Sequence, residues 1–171
     1  MRRISLWLIP CEEDYSFLDV QIQSIKNKFN GDELFPHVSL PFSCAFEFEE
    51  IFSRLEKVEF KKIELIVSKI GLGVRAHQQV FLEFEENNGL NELTQSLLEI
   101  FDDLIVKTRD KAPHLSMVYA DKVGLYSEEE KIKIKSEIKV PKKIMLDKIA
   151  LVDLPSKNPQ DWKILKLIKL I

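Results

Sequence analysis

The chain is poor in the residues that carry metal, dinucleotide and redox chemistry. Of its 171 residues, two are cysteine, three histidine and five glycine. Neither Cys-x-x-Cys nor His-Glu-x-x-His spacing occurs, and His37, His77 and His114 lack acidic partners at metal-ligand spacing, so neither a metal nor another cofactor is expected. Cys11 and Cys44 read as reduced thiols rather than as a disulfide framework. Gly71 and Gly73 in KIGLGVR form a Gly-x-Gly fragment without the third glycine and following helix of a dinucleotide site, and there is no Walker lysine. That stretch is expected to be a turn or a strand irregularity. The N-terminal MRRISLWLIP is too short, and too soon interrupted by Pro10 and acidic residues, for a secretory or transmembrane segment, which makes the cytoplasm the expected location. An excess of positive charge is also missing. A net charge of −3 and a pI near 5.7 argue against long nucleic acid held by counterion release and leave room for a small anionic ligand.

What is present is ordinary for a globular protein, with 45% hydrophobic and 31% charged residues and no low-complexity stretch to mark a linker. One domain over 1–171 is expected, a monomer built from two intertwined lobes.

Two of the three histidines sit in a repeated tetrapeptide: Pro36-His37-Val38-Ser39 within FPHVSLPF and Pro113-His114-Leu115-Ser116 within APHLSMVY. In a strand, residues i and i+2 share a face, so each copy presents an imidazole and a hydroxyl together while Val38 or Leu115 turns away. Histidine ionises near neutrality and a hydroxyl beside it can hold an anionic oxygen, a combination suited to phosphoester chemistry. A lone His-x-Ser is ordinarily a packing or surface feature. Two copies, each opened by proline and running into an apolar strand, point to one shared site with His37 and His114 catalytic and Ser39 and Ser116 on the phosphate.

The periodicities predict a strand over 4–9, a helix over 12–29 followed by Gly31, the first motif strand over 35–42, and a short helix through Phe48, Ile51, Phe52 and Leu55. Strands are expected over 60–70 and 79–85, then a helix through Leu104 capped by Asn88 or Asn91. The second motif strand (113–119) follows, then a short helix opened by a Ser127–Glu130 capping box, and strands over 143–154 and 162–171. The last of these, WKILKLIKLI, also has the character of a basic amphipathic helix, but completing a sheet is favoured over membrane contact. The order suggests an α+β fold of two similar lobes related by a pseudo-twofold axis, with antiparallel sheets lining a central cleft and helices packed outside.

On these motifs, and on SLWLIP, QQVFLEFE, PHLSMVYAD and DKIALVDLPSKNPQDWKILKLIKL, the chain resembles the 2H phosphoesterases, and among them the plant and yeast type of cyclic phosphodiesterase, with a LigT-like fold. The resemblance implies metal-independent and cofactor-free hydrolysis of ADP-ribose 1″,2″-cyclic phosphate or of nucleoside 2′,3′-cyclic phosphates to 2′-phosphates. It implies His114 as base and His37 as acid, Ser39 and Ser116 on the phosphate, Tyr119 near the substrate, and tRNA-splicing by-products as the pathway. His77 departs from it, since an aromatic residue is the family's pattern before the glutamine of the central strand. His77 and Trp7 are weaker substrate-contact candidates, and Arg75 is a phosphate-clamp candidate on charge alone. Two other readings stand beside this one: a 2H enzyme processing RNA ends or 2′,5′-oligonucleotides, and a non-catalytic nucleotide-binding module.

Overall fold

The computed structural model describes residues 4–32, 34–44, 47–108, 112–120, 124–156 and 158–171. The chain runs β1 (Ile4–Pro10), α1 (Glu12–Phe29), β2 (Val38–Cys44), α2 (Phe48–Leu55), β3 (Ile63–Arg75), β4 (Gln78–Phe84) and α3 (Asn88–Ile100). It continues through β5 (Ile105–Thr108), β6 (His114–Val118), α4 (Glu128–Glu137), β7 (Lys143–Asp153) and β8 (Lys163–Lys169). Acidic Glu12, Glu13 and Asp14 open α1 and Lys26 and Lys28 lie in its last turn, each complementing the helix dipole. The left-handed residue that ends α1 is Asn30, φ 54°, rather than the glycine after it. Gly31 is needed for a different reason: a Cβ there would lie 2.9 Å from Val118 Cγ2, where the end of α1 meets the end of β6.

Among the described residues every pairing is antiparallel, in the order β1-β2-β6-β4-β3-β7-β8, with β5 paired to the Phe42–Cys44 end of β2 on the edge whose other end meets β6. Because β1 also pairs with β7, six strands close into a circuit that β5 and β8 flank. Alternation decides the two faces. Ile4, Leu6 and Leu8 of β1 join Val38, Leu82 and Leu115 in the main core, under α1, α3 and α4. Trp7 and Ile9 turn the other way and pack with Ala150 and Val152 of β7, flanked by Phe35, Leu154 and Trp162. Burying each of these aliphatic side chains is worth about 1.5–3 kcal/mol, so a one-residue slip that exchanged the faces is strongly disfavoured and the motif residues are held toward the cleft.

Several local expectations are resolved or corrected. Gly71 and Gly73 lie inside β3, where the register with β4 shifts between Leu72 and Arg75, so of the two expected alternatives the strand irregularity forms; the reversal is Ala76-His77, starting three residues after Gly73. A Cβ on Gly71 would come within 2.6 Å of the Phe81 ring, so the glycine exists to let that ring lie across β3. Helix α3 ends at Ile100 and is capped by Asn87, whose side chain accepts from Leu90 N. The chain after it forms β5, a short strand that its helical periodicity concealed. The capping box at Ser127 and Glu130 forms as expected.

Candidate active site

The pairing of β2 with β6 sets Val38 opposite Leu115, the central residues of the two tetrapeptides. An antiparallel register through that pair places His37 across from Ser116 and Ser39 across from His114. The two histidines stand diagonally, a relation that in antiparallel strands spans about 7–8 Å between backbones. The flanking strands repeat the arrangement: Trp7 of β1 pairs with Ser39 and Phe81 of β4 pairs with Ser116.

Each motif orients its imidazole in the same way. His37 Nδ1 lies 2.8 Å from the Phe35 carbonyl, and His114 Nδ1 lies 3.1 Å from the Ala112 carbonyl. A carbonyl accepts only, so Nδ1 carries a proton in both rings and Nε2 is left for chemistry. The intervening proline is part of the device. It confines Phe35 or Ala112 to extended backbone, which sets the carbonyl two residues before the histidine.

The surroundings of the two rings differ. His37 is 4% exposed and stacks on Trp7, centroids 3.6 Å apart and planes at 9°. Burial is the main cause pulling its pKa down to about 4, with the charge of His114 acting in the same direction and the Phe35 carbonyl opposing. His114 is half-buried, with the Phe81 ring edge-on at 5.3 Å. The hydroxyls show the converse. Ser39 is half-buried and its hydroxyl has no hydrogen-bond partner among the described residues, whereas Ser116 is buried and donates to the His77 carbonyl at 2.9 Å.

His77, at the tip of the β3–β4 hairpin, lies 4.8 Å from Tyr119 and 5.4 Å edge-on from Trp162. Trp162 also meets Trp7 at 5.6 Å and Tyr119 at 6.0 Å. The structure therefore brings the weaker candidates Trp7, His77 and Tyr119 together through Trp162, a residue the sequence reading assigned only to a strand. A turn of 3-10 helix at Pro159–Asp161 delivers that indole, and its Nε1 donates to the Ser156 carbonyl. Phe81 was also missed. Its signal was the match of an aromatic between aliphatic residues in Leu6-Trp7-Leu8 and Val80-Phe81-Leu82, the strands that flank the two motifs. Arg75 stands apart, exposed at the end of β3, with no side-chain hydrogen bond or ion pair among the described residues.

Cys11 and Cys44 are both free thiols. Among the described residues no three His, Cys, Asp or Glu side chains are grouped to hold a metal, and no helix is long and apolar enough to cross a membrane.

The fold is similar to solved structures across its whole length. A phosphoesterase superposes with a TM-score of 0.66 at 12% identity, covering 99% of each chain. LigT from E. coli, complexed with 3′-AMP, gives 0.65 at 14% identity over 99% of this chain and 98% of that one. Usb1 from Kluyveromyces marxianus gives 0.50 at 10% identity over 98% and 97%. LigT and Usb1 are 2H phosphoesterases, and the architecture is LigT-like. Among curated proteins no sequence matches. Family and fold together indicate a phosphoesterase of the cyclic phosphodiesterase-like kind. The family described as cyclic phosphodiesterase-like protein matches residues 1–171, and the chain belongs to it.

Proposed function

We propose that the protein hydrolyses a small cyclic phosphate, either ADP-ribose 1″,2″-cyclic phosphate or a nucleoside 2′,3′-cyclic phosphate, by general acid and base catalysis from His37 and His114. The observation that carries this reading is the Val38–Leu115 register, together with the matching Nδ1–carbonyl contacts of the two imidazoles.

The burial of His37 favours it as the base, the reverse of the order carried by the resemblance. A ring held to a pKa of about 4 is neutral at pH 7, with its Nε2 lone pair available to take a proton from water. As the water oxygen bonds to phosphorus, the ester bond to the leaving oxygen breaks and His114, as imidazolium, protonates that oxygen through Nε2–H. The proton taken by His37 then returns through solvent to His114. Ser39 donates to a non-bridging oxygen, and Ser116 joins it by exchanging the His77 carbonyl for the phosphate. Trp162, His77 and Tyr119 form an aromatic wall suited to a nucleobase. LigT, a protein of the same fold, has been crystallised with 3′-AMP, which agrees with a nucleotide-sized ligand.

The test is incubation with each of the two cyclic phosphates in the presence of EDTA, resolving product isomers by phosphorus NMR. Turnover that persists with EDTA and disappears in His37→Ala and His114→Ala is expected. No turnover of either compound by folded protein would contradict the proposal and direct attention to RNA ends or to binding alone.

A further inference from the structure

Helix α1 carries two large apolar side chains at the surface: Phe17 is 42% exposed and Val20 70%. They stand at i and i+3, and with Gln21 and Ser24 they complete the i, i+3, i+4, i+7 seam of one helix face. Beside that seam runs the chain that leaves α4, and the two enclose a groove of about 380 Å³ whose far wall is Glu137 and Lys139. The groove is held in shape from within. Gln21 Nε2 donates to the Lys139 carbonyl at 3.2 Å and Lys139 N donates to Gln21 Oε1 at 2.6 Å, so both ends of the amide are engaged. Leu18, Ile22 and Ile25 of the same helix are buried in the main core, which puts the exposed seam on the outside of the molecule, away from the cleft.

This seam is complementary to itself when reversed. About the point between Val20 and Gln21, Phe17 and Ser24 are equidistant, a large side chain matched by a small one, and so are Glu13 and Lys28, an acid matched by a base. Glu13, Ser24 and Lys28 are exposed; Lys28 Nζ bonds Glu137 at 2.6 Å and still leaves 53% of its side chain open. An isologous contact requires such self-complementarity, because each element of the face meets its counterpart across a twofold axis, whereas an unrelated partner does not require it. We propose that α1 is the interface of a homodimer, in place of the monomer expected from the sequence. Two antiparallel α1 helices related by a twofold axis through that point set Phe17 against Ser24 and Glu13 against Lys28 of the second copy, twice over. Val20 of each copy then closes the groove of the other. Opposite charges at both ends fix the antiparallel direction, since a parallel pair would bring acid to acid and lysine to lysine. Both clefts stay open in this dimer, so the inference stands apart from the catalytic reading.

Sedimentation equilibrium of the full chain over a range of concentrations tests the assignment, with circular dichroism to show that each variant is folded. A mass rising from 20.0 kDa toward twice that value is expected. Val20→Glu, at an exposed position, should weaken the association by at least about tenfold. Glu13→Lys and Lys28→Glu each set like charges together at both ends and should weaken it by about tenfold when alone. Mixed, the two variants should associate as wild type does, because a heterodimer of them pairs opposite charges again at both ends. A mass of 20.0 kDa at every concentration would overturn the proposal, as would a dimer indifferent to Val20→Glu or a mixture that fails to recover. A monomer that binds the apolar dye ANS, and loses that binding in Val20→Glu, would also overturn the second copy and give the groove to a different apolar partner.

Discussion

The two halves of the site have the same backbone plan and opposite chemical environments. Around His37 the neighbours are apolar or aromatic: Trp7 stacked on the ring, Phe35 beside it, and Ile9 one pair along. Around His114 the aromatic neighbour is an edge-on Phe81, and the imidazole is only half-buried. Duplication supplies two equivalent proton carriers, but a hydrolysis needs one that is neutral and one that is charged. On the proposed mechanism, the unequal burial of the two rings is what would make equivalent histidines into a base and an acid.

The largest effect should come from removing either carrier. His37→Ala and His114→Ala are each expected to reduce kcat by roughly 10²–10⁴-fold, measured under saturating cyclic phosphate. Comparable losses would show that both halves act in the chemical step, and a loss confined to one would break the pairing.

Stability against pH separates the halves next. His37 is held near a pKa of about 4 when folded, below the roughly 6.5 of an unfolded histidine. Between those values the unfolded chain binds a proton that the folded chain refuses, so stability is complete above about pH 6.5 and declines as the pH falls toward 4. The decline attributable to this ring amounts to about 3 kcal/mol at most. Urea unfolding of wild type and His37→Asn across pH 4–7 should show a shallower slope in the variant.

On the other side, Gly71→Ala places a methyl group against the Phe81 ring and should destabilise the protein by about 1–3 kcal/mol in denaturant unfolding. Trp162→Ala leaves both halves standing and removes the wall between them. Base–aromatic stacking is worth about 1–3 kcal/mol, so KM for 2′,3′-cyclic AMP should rise roughly tenfold, while a cyclic phosphate lacking a base is turned over as before.

The sequence carried the motifs, the helices and most strands because their signals are local: a repeated PHxS, apolar residues at helical or alternate spacing, a capping box. The places where it misled or left a choice open are set by contacts distant in the chain. Gly71 and Gly73 left a turn and a strand irregularity both open, and the choice between them rests on Phe81, from the next strand, which occupies the space over them. Trp162 reads as one more residue of a C-terminal strand, and its place beside His77 and Tyr119 depends on β8 adding to β7 and on the 3-10 turn that delivers the ring. The unequal burial of His37 and His114 has no trace in two nearly identical tetrapeptides. It arises from Trp7 stacked on His37 with Phe35 beside it, against a single edge-on Phe81 at His114.

The asymmetry is measured most directly by titrating the two rings in the free protein, with His37→Asn and His114→Asn used to assign the signals. His37 is expected to remain neutral down to about pH 4. A His37 ring that takes up its proton near the ordinary value of roughly 6.5 would contradict the account and return the roles of acid and base to the opposite order.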